Sequence, residues 1–274
     1  MSAPVTKVIL VVGAIILFVL LFIAPKIVDP KGEPVQMGPA AGKAEVSINA
    51  TLDVYLDLAA KNLEADQKQV LDRLLTAKKQ DSAAVFWDQL KRPDLAAYYT
   101  EEAAINDKTA KAWFKAGNRY YYAVQFSRDQ TEIPVLYQGA LRCFNNGLKL
   151  DPSDTDARIM QATCYVEGTQ DPMAGVSRLR EIEKTDSNNV KLQLTFAFFS
   201  VKSGQLDKAI KRFNKVIEID STYIEAYLHL ADVYERQGKT KETITSLEKY
   251  ASMTGDATEK MEISKYVQQL KQQQ

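Results

Sequence analysis

Two stretches in the last third of the chain decide the fold: GQLDKAIKRFNKVIEID at residues 204–220 and GKTKETITSLEKYASMT at residues 238–254. In each, a glycine is followed by a small residue and then by larger apolar or aromatic residues at the same spacing. The matching positions, 34 residues apart, are Gly204, Ala209, Phe213 and Val216 in the first stretch and Gly238, Thr243, Leu247 and Tyr250 in the second. A fixed step of this length is typical of repeat architectures.

The repeating unit is predicted to be a pair of helices. Stepping back by 34 residues from the first stretch reaches Gly175, Leu179 and Ile182, so three units share one register. Between the quoted stretches lies a second apolar pattern at i, i+3, i+4 and i+7, which marks one buried face of a helix; its residues are Tyr227, Leu230, Ala231 and Tyr234. Gly238 follows it and is expected to end that helix. The small residue at Gly175 or Ala209 is expected to let the paired helix approach closely.

In this register the chain resembles the tetratricopeptide repeat family. The first clear unit carries the family's pattern at Trp113, Ala116, Gly117, Tyr120, Ala140, Phe144, Gly147 and Pro152, and the second carries it at Ala162, Tyr165, Gly175, Leu179 and Ile182. The first unit departs from the pattern by about eleven extra residues, in AVQFSRDQTEIPVLY at 123–137, which predict longer helices or a protruding loop. The resemblance implies an all-α solenoid of helical hairpins. Members of this family bind peptides and helices or scaffold assemblies, so the same is expected here.

The predicted organisation places this solenoid between flanking helices. Residues 46–81 form amphipathic helices, residues 82–109 a degenerate repeat, residues 110–257 four repeat units, and residues 258–274 a capping helix. A polar terminal helix is what a solenoid needs to keep its last apolar face from water.

An apolar segment near the N-terminus predicts a membrane anchor. Residues 1–7 form a short tail, and residues 8–24, VILVVGAIILFVLLFIA, hold no charge and are bracketed by Lys7 and Lys26. Seventeen residues are near the lower limit for crossing a hydrocarbon core of about 30 Å. A cleaved signal peptide is the alternative, but the run is longer than a usual h-region and no small-residue cleavage site follows it closely.

Residues 25–45 are rich in proline and glycine and predict a semi-extended tether. The lysines on the two sides of the anchor do not decide its orientation. Because a short leading tail most often stays in the cytosol, the body is expected to be periplasmic or extracytoplasmic, with the cytoplasmic face as the alternative.

Composition argues against several classes of function. Lys plus Arg equals Asp plus Glu at 35 each, so no overall positive field attracts nucleic acid. The single histidine, His229, and the two cysteines form no metal-ligand spacing, and no catalytic motif is recognisable. We therefore expect no enzyme activity, no cofactor and no metal. Cys143 and Cys164 fall on helices expected to pack together, which leaves a disulfide and two buried thiols as alternatives.

The candidate binding site is a groove lined by the first helix of each unit, as the family resemblance implies. The predicted lining is Phe114, Asn118, Tyr121 and Tyr122, then Ile159, Met160 and Thr163, then Leu194, Phe198 and Val201, and finally Asp232, Glu235 and Arg236. So many apolar groups facing water indicate a protein or peptide partner, unless the segment from Gln125 to Pro134 fills the groove. Copies of the chain itself are further candidate partners.

Two functional hypotheses follow. The first is a membrane-tethered scaffold or chaperone-like adaptor for envelope proteins, as the resemblance to anchored bacterial members of the family implies. The alternative is a cytosol-facing membrane receptor that recruits chaperones or client proteins. Such receptors often hold a partner's C-terminal carboxylate, and only Lys115 and Asn118 resemble the residues that do so.

Overall fold

The computed structural model describes residues 59–127 and 130–272, which all lie in one compact unit spanning Ile48–Gln274. The predicted anchor, the tether and residues 46–58 of the leading helices lie outside the described residues. Every regular element in the described ranges is a helix, in agreement with the predicted all-α fold. None of these helices combines the length and apolar character needed to cross a bilayer.

Twelve helices follow one another in the described ranges, and residues 59–61 are helical as well. The first three are α1 (Ala65–Thr76), α2 (Gln80–Gln89) and α3 (Pro93–Asp107). The next four are α4 (Ala110–Val124), α5 (Glu132–Leu150), α6 (Thr155–Gly168) and α7 (Pro172–Thr185). The last five are α8 (Val190–Lys202), α9 (Leu206–Ile219), α10 (Glu225–Arg236), α11 (Thr240–Met253) and α12 (Ala257–Gln272).

These helices pack as successive hairpins. Each helix contacts the next along the chain, and α4/α5, α6/α7, α8/α9 and α10/α11 form four pairs within residues 110–253, while α2 and α3 form another ahead of them. The first helices of neighbouring pairs also contact each other, α4 with α6 and α6 with α8, and the Phe198 ring of α8 meets the His229 ring of α10. The first helices therefore form one continuous row, and we call its exposed side the inner surface.

Two glycine features explain why the pairs close tightly. Gly204 and Gly238 follow the ends of α8 and α10 with φ of 73° and 69°, a left-handed conformation that strains residues with a Cβ. On α7, a Cβ at Gly175 would lie 2.4 Å from the backbone carbonyl of Ala162. The prediction that a small residue at this position lets the paired helix approach is therefore confirmed.

The extra residues of the first unit are shared between a helix and a connection. α5 has 19 residues, whereas α7, α9 and α11 each have 14. The described part of the connection covers residues 125–127 and 130–131. Pro134 lies in the first turn of α5, where a missing backbone N–H costs no helical hydrogen bond.

Polar side chains join the helices at two places that the sequence pattern did not indicate. Glu101 on α3 is 5% exposed and accepts hydrogen bonds from Arg142 on α5 at 2.6 Å and from the Tyr120 hydroxyl on α4 at 2.7 Å. Farther along, Arg212 on α9 pairs with Glu183 on α7 and donates to the buried Gln193 on α8. Each of these groups connects three helices.

The last helix closes the solenoid as a polar element. Val267 and Leu270 of α12 are buried against the preceding pair, while most of its remaining residues are exposed. Tyr266 donates a hydrogen bond to Glu235, and Lys271 lies 2.8 Å from Glu248. These contacts fix α12 against α10 and α11.

Candidate protein-binding surface

The predicted groove residues fall into three groups by exposure. The exposed ones are Asn118, Tyr122, Phe198, Asp232, Glu235 and Arg236. The half-buried ones are Phe114, Tyr121, Met160, Leu194 and Val201. The buried ones are Ile159 and Thr163, and Ile159 is 0% exposed in a core cluster with Leu179 and Leu192. A partner therefore has no access to Ile159 or to Thr163, whose hydroxyl donates to the Ile159 carbonyl, so the assignment of both to the groove is wrong.

The other residues of α6 divide between core and surface. Met160 of the predicted groove is half-buried, whereas Cys164, 34 residues before exposed Phe198, is buried. Glu167, 34 residues before Val201, is half-buried and is not among the predicted groove residues. The 34-residue step is the signal that could have identified it.

Glu167 lies at the centre of a polar cluster on the inner surface. Its Oε2 accepts hydrogen bonds from the Tyr121 hydroxyl at 3.0 Å and from the Tyr137 hydroxyl at 3.3 Å, and its Oε1 lies 3.3 Å from Nζ of Lys202. Burial, and then the negative charge of Glu167, raise the pKa of both tyrosines. The hydroxyls therefore stay protonated and donate, and one carboxylate joins α4, α5, α6 and α8.

An aromatic cluster follows along the same surface, between α8 and α10. The ring of His229 stacks on buried Phe213, with centroids 5.2 Å apart, and meets the ring of Phe198 edge-on at 4.9 Å. Phe198 itself is 44% exposed. Burial lowers the pKa of the imidazole, and this effect outweighs the opposing charges of Asp232 and Glu225. His229 is thus a neutral aromatic partner in the floor of this surface.

The lowered pKa of His229 predicts a pH dependence of stability. As the pH falls, His229 takes up a proton near pH 6.5 in the unfolded chain and only at a lower pH in the folded chain. The stability contributed by the neutral ring is therefore complete above about pH 6.5 and is lost as the pH falls toward the folded pKa. His229→Phe should remove this loss of stability. We expect the melting temperature of the natural chain to fall more between pH 7.5 and pH 5.5 than that of the variant.

Since His229 is the sole histidine of the chain, the comparison isolates one imidazole. Equal shifts in the two proteins would show that the ring titrates alike in the folded and unfolded states.

A second exposed aromatic pair lies at the end of α4. Tyr122 is 52% exposed and Phe126 is 53% exposed, with ring centroids 4.7 Å apart. The predicted groove includes Tyr122 but not Phe126, which lies in the insertion that departs from the repeat pattern. The described part of that insertion leaves the rings of Tyr122 and Phe198 uncovered, so it does not fill the surface there.

The two residues that resemble a carboxylate-binding pair are Lys115 and Asn118. The ammonium of Lys115 lies 2.7 Å from Asp81 on α2, and Asn118 is exposed one turn farther along α4. Lys115 is therefore already paired with a carboxylate of the chain itself.

Both cysteines are buried free thiols in one core cluster. Burial raises the pKa of each thiol well above its usual value, which disfavours the reactive thiolate. In residues 59–127 and 130–272 no group of three or more His, Cys, Asp or Glu side chains is placed to hold a metal ion. The features that the described surface presents to a partner are therefore its shape, its aromatic rings and its fixed charges.

Comparison with known proteins identifies the repeat. Family models described as TPR repeat and as tetratricopeptide repeat match residues 201–238 and 224–256. No curated protein sequence gives a significant match to the chain. The matched residues contain the two stretches on which the 34-residue step was first recognised.

Solved structures of similar fold include a tetratricopeptide repeat protein from Parabacteroides merdae, at 15% identity and a TM-score of 0.51, covering 82% of this chain and 87% of that one. A thermophilic TPR protein of Thermus thermophilus gives 16% identity and a TM-score of 0.48, covering 70% and 97%. PilW, a type IV pilus biogenesis factor, gives 15% identity and a TM-score of 0.47, covering 70% and 92%. At 15% identity and a TM-score of 0.51, the likeness to the Parabacteroides merdae structure concerns the fold alone.

Residues 201–256 thus carry tetratricopeptide repeats, and the described chain has a similar all-α fold, as the sequence pattern predicted. This repeat fold suggests a protein interaction scaffold, and the inner surface formed by its first helices is the candidate site.

Proposed function

We propose that this protein is a membrane-tethered adaptor that holds a peptide or helix of another protein on the inner surface of its repeats, on the extracytoplasmic side. The observation that carries the proposal is the exposure of two aromatic rings, Tyr122 and Phe198, in the row of first helices. Half-buried Tyr121, Leu194 and Val201 lie beside them. Apolar area of this kind is costly in water, and a bound segment would cover it.

The chemistry of the surface supports binding rather than catalysis. On the inner surface, the carboxylate of Glu167 is occupied with two tyrosines and Lys202. This group fixes α4, α6 and α8 relative to one another, which keeps the rings of Tyr122 and Phe198 in place for a partner.

A double substitution tests the proposed surface. Tyr122→Ala with Phe198→Ala is expected to reduce partner capture at least tenfold, because buried aromatic side chains contribute most of the binding energy in protein interfaces. Both rings are partly exposed, so helicity and cooperative melting should change little. Capture is measured in cells by a photoreactive residue at position 118, followed by mass spectrometry of the crosslinked protein.

The matched control is Ile105→Ala with Leu150→Ala. These side chains are 46% and 55% exposed, but they lie on the second helices α3 and α5. This control should capture the partner as the natural chain does. Undiminished capture by the Tyr122 and Phe198 variant, or its unfolding, would contradict the proposed site.

The tether is tested by fusing alkaline phosphatase after Gln274. We expect the fusion to be recovered with membranes and to be enzymatically active, because the apolar run at residues 8–24 is long enough to span a bilayer and the short leading tail favours an external body. Removing residues 1–43 should release a helical body into the soluble fraction.

Recovery of the unprocessed full chain in the soluble fraction would contradict the anchor. A membrane-bound but inactive phosphatase, together with an active cytosolic reporter at the same position, would favour the receptor that faces the cytosol.

A further inference from the structure

The inner surface changes character at α10, the first helix of the last pair. Glu225 and Asp232 lie on the same face of α10 as His229, four residues before it and three residues after it. Both carboxylates act electrostatically on the imidazole, so they lie near the ring that Phe198 contacts. The exposed aromatic group is thus bracketed by two negative charges.

The apolar part of this area is formed from two helices. Phe198 projects from α8 with Leu194 and Val201 half-buried one turn away on either side. The uncharged His229 ring meets Phe198 from α10. A side chain that packs against Phe198 would therefore contact an aromatic and aliphatic floor.

The charge of the area is negative on the α10 side. This helix has three carboxylates, Glu225, Asp232 and Glu235, and one cation, Arg236, which lies 3.0 Å from Asp232. On the α8 side, the nearest cation along the helix, Lys202, lies 3.3 Å from Glu167. The excess charge next to the aromatic floor is therefore carried by carboxylates, two of which are exposed at Glu225 and Asp232.

We infer that the surface between α8 and α10 binds a basic peptide segment, in which an aromatic or branched apolar side chain packs on Phe198 and His229 while neighbouring Lys or Arg side chains pair with Glu225 and Asp232. The inference rests on the proposed function and specifies the chemistry of its partner. Apolar contact provides the anchor, and complementary charge selects among segments that share the anchor.

The expected selectivity is modest, because the two carboxylates are exposed. An ion pair at such a site contributes a few-fold in affinity, so two pairs give a preference of about tenfold for a basic over an acidic segment. That preference should decrease as salt screens the charges, while the apolar contribution should persist.

The test is selection from a random peptide library on the purified full chain in detergent. The natural chain should enrich peptides that hold Lys or Arg within a few positions of an aromatic or branched apolar residue. Glu225→Gln with Asp232→Asn should remove the basic preference, lowering the affinity of a selected peptide about tenfold while its charge-reversed version changes little. Phe198→Ala should weaken both peptides.

The matched control removes the same two charges elsewhere. Asp72→Asn with Glu181→Gln changes exposed carboxylates on α1 and α7, away from the row of first helices, and should leave the selected sequences unchanged. Circular dichroism and melting of each variant check that the fold is intact.

Enrichment of acidic or uncharged peptides, or a basic preference that survives Glu225→Gln with Asp232→Asn, would overturn this inference and leave the proposed function in place. Loss of the preference in the Asp72 and Glu181 control would also overturn it, because the selection would then follow net charge alone. No enrichment of any peptide would overturn the inference and the proposed peptide-binding function together.

Discussion

Gly175→Ala is expected to destabilise the protein by about 2 kcal/mol and to lower its melting temperature by about 4–8 °C. A Cβ at this position would lie 2.4 Å from the carbonyl oxygen of Ala162 and 2.8 Å from the backbone nitrogen of Val166. Backbone atoms of a packed helix do not yield as a flexible side chain does, so α6 and α7 have to separate. The better helix propensity of alanine offsets only about 1 kcal/mol.

The matched control is Gly255→Ala, in the connection between α11 and α12. A Cβ there meets no atom within 4 Å, so the same chemical change should alter stability by less than about 0.5 kcal/mol. Both variants are measured by thermal and urea unfolding. Equal stability of the two variants would show that α6 and α7 do not pack as closely as described.

Glu101→Ala is expected to destabilise the protein by about 3 kcal/mol. The change removes the acceptor of the buried Tyr120 hydroxyl and the partner of Arg142. Loss of one partner from a buried ion pair typically costs about 3–5 kcal/mol, and the lower end applies because the Arg142 side chain is 41% exposed and can be hydrated. Urea unfolding measures the loss.

Glu101→Gln retains an acceptor near Tyr120 but no charge for Arg142, so its loss should be smaller than that of Glu101→Ala. Glu181→Ala, at an exposed position on α7, should change stability by less than about 0.5 kcal/mol. If Glu101→Ala and Glu181→Ala unfolded at the same urea concentration, the buried pair would contribute nothing to stability.

The helical fold was predictable because its signal repeats along the chain. The step of 34 residues connects Phe213 with Leu247, and one packing solution serves both units. The burial of Ile159 had no such support, because it depends on Leu179 of α7 and Leu192 of α8, which the pattern of α6 alone does not place.

The polar groups were not predictable from the pattern, because each depends on partners distant in sequence. Glu101 is paired with Arg142, 41 positions away, and nothing in the spacing of either residue distinguishes it from the exposed charges of its helix. The exposure of a side chain was predictable where the face of a single helix determines it, as at Tyr122 and Phe198. The role of Glu167 was missed because its contacts depend on the placement of several helices.

The sharing of Glu167 between neighbouring units affects how the array comes apart. In an array of repeats, stability is a sum of the stability of each unit and of the interfaces between neighbours, so units are free to unfold from the ends. Here one carboxylate accepts bonds from Tyr121 in the unit before it and from Lys202 in the unit after it. When α6 melts, both neighbours lose a contact at once, so we expect the middle of the array to unfold as a larger cooperative segment than one helical pair.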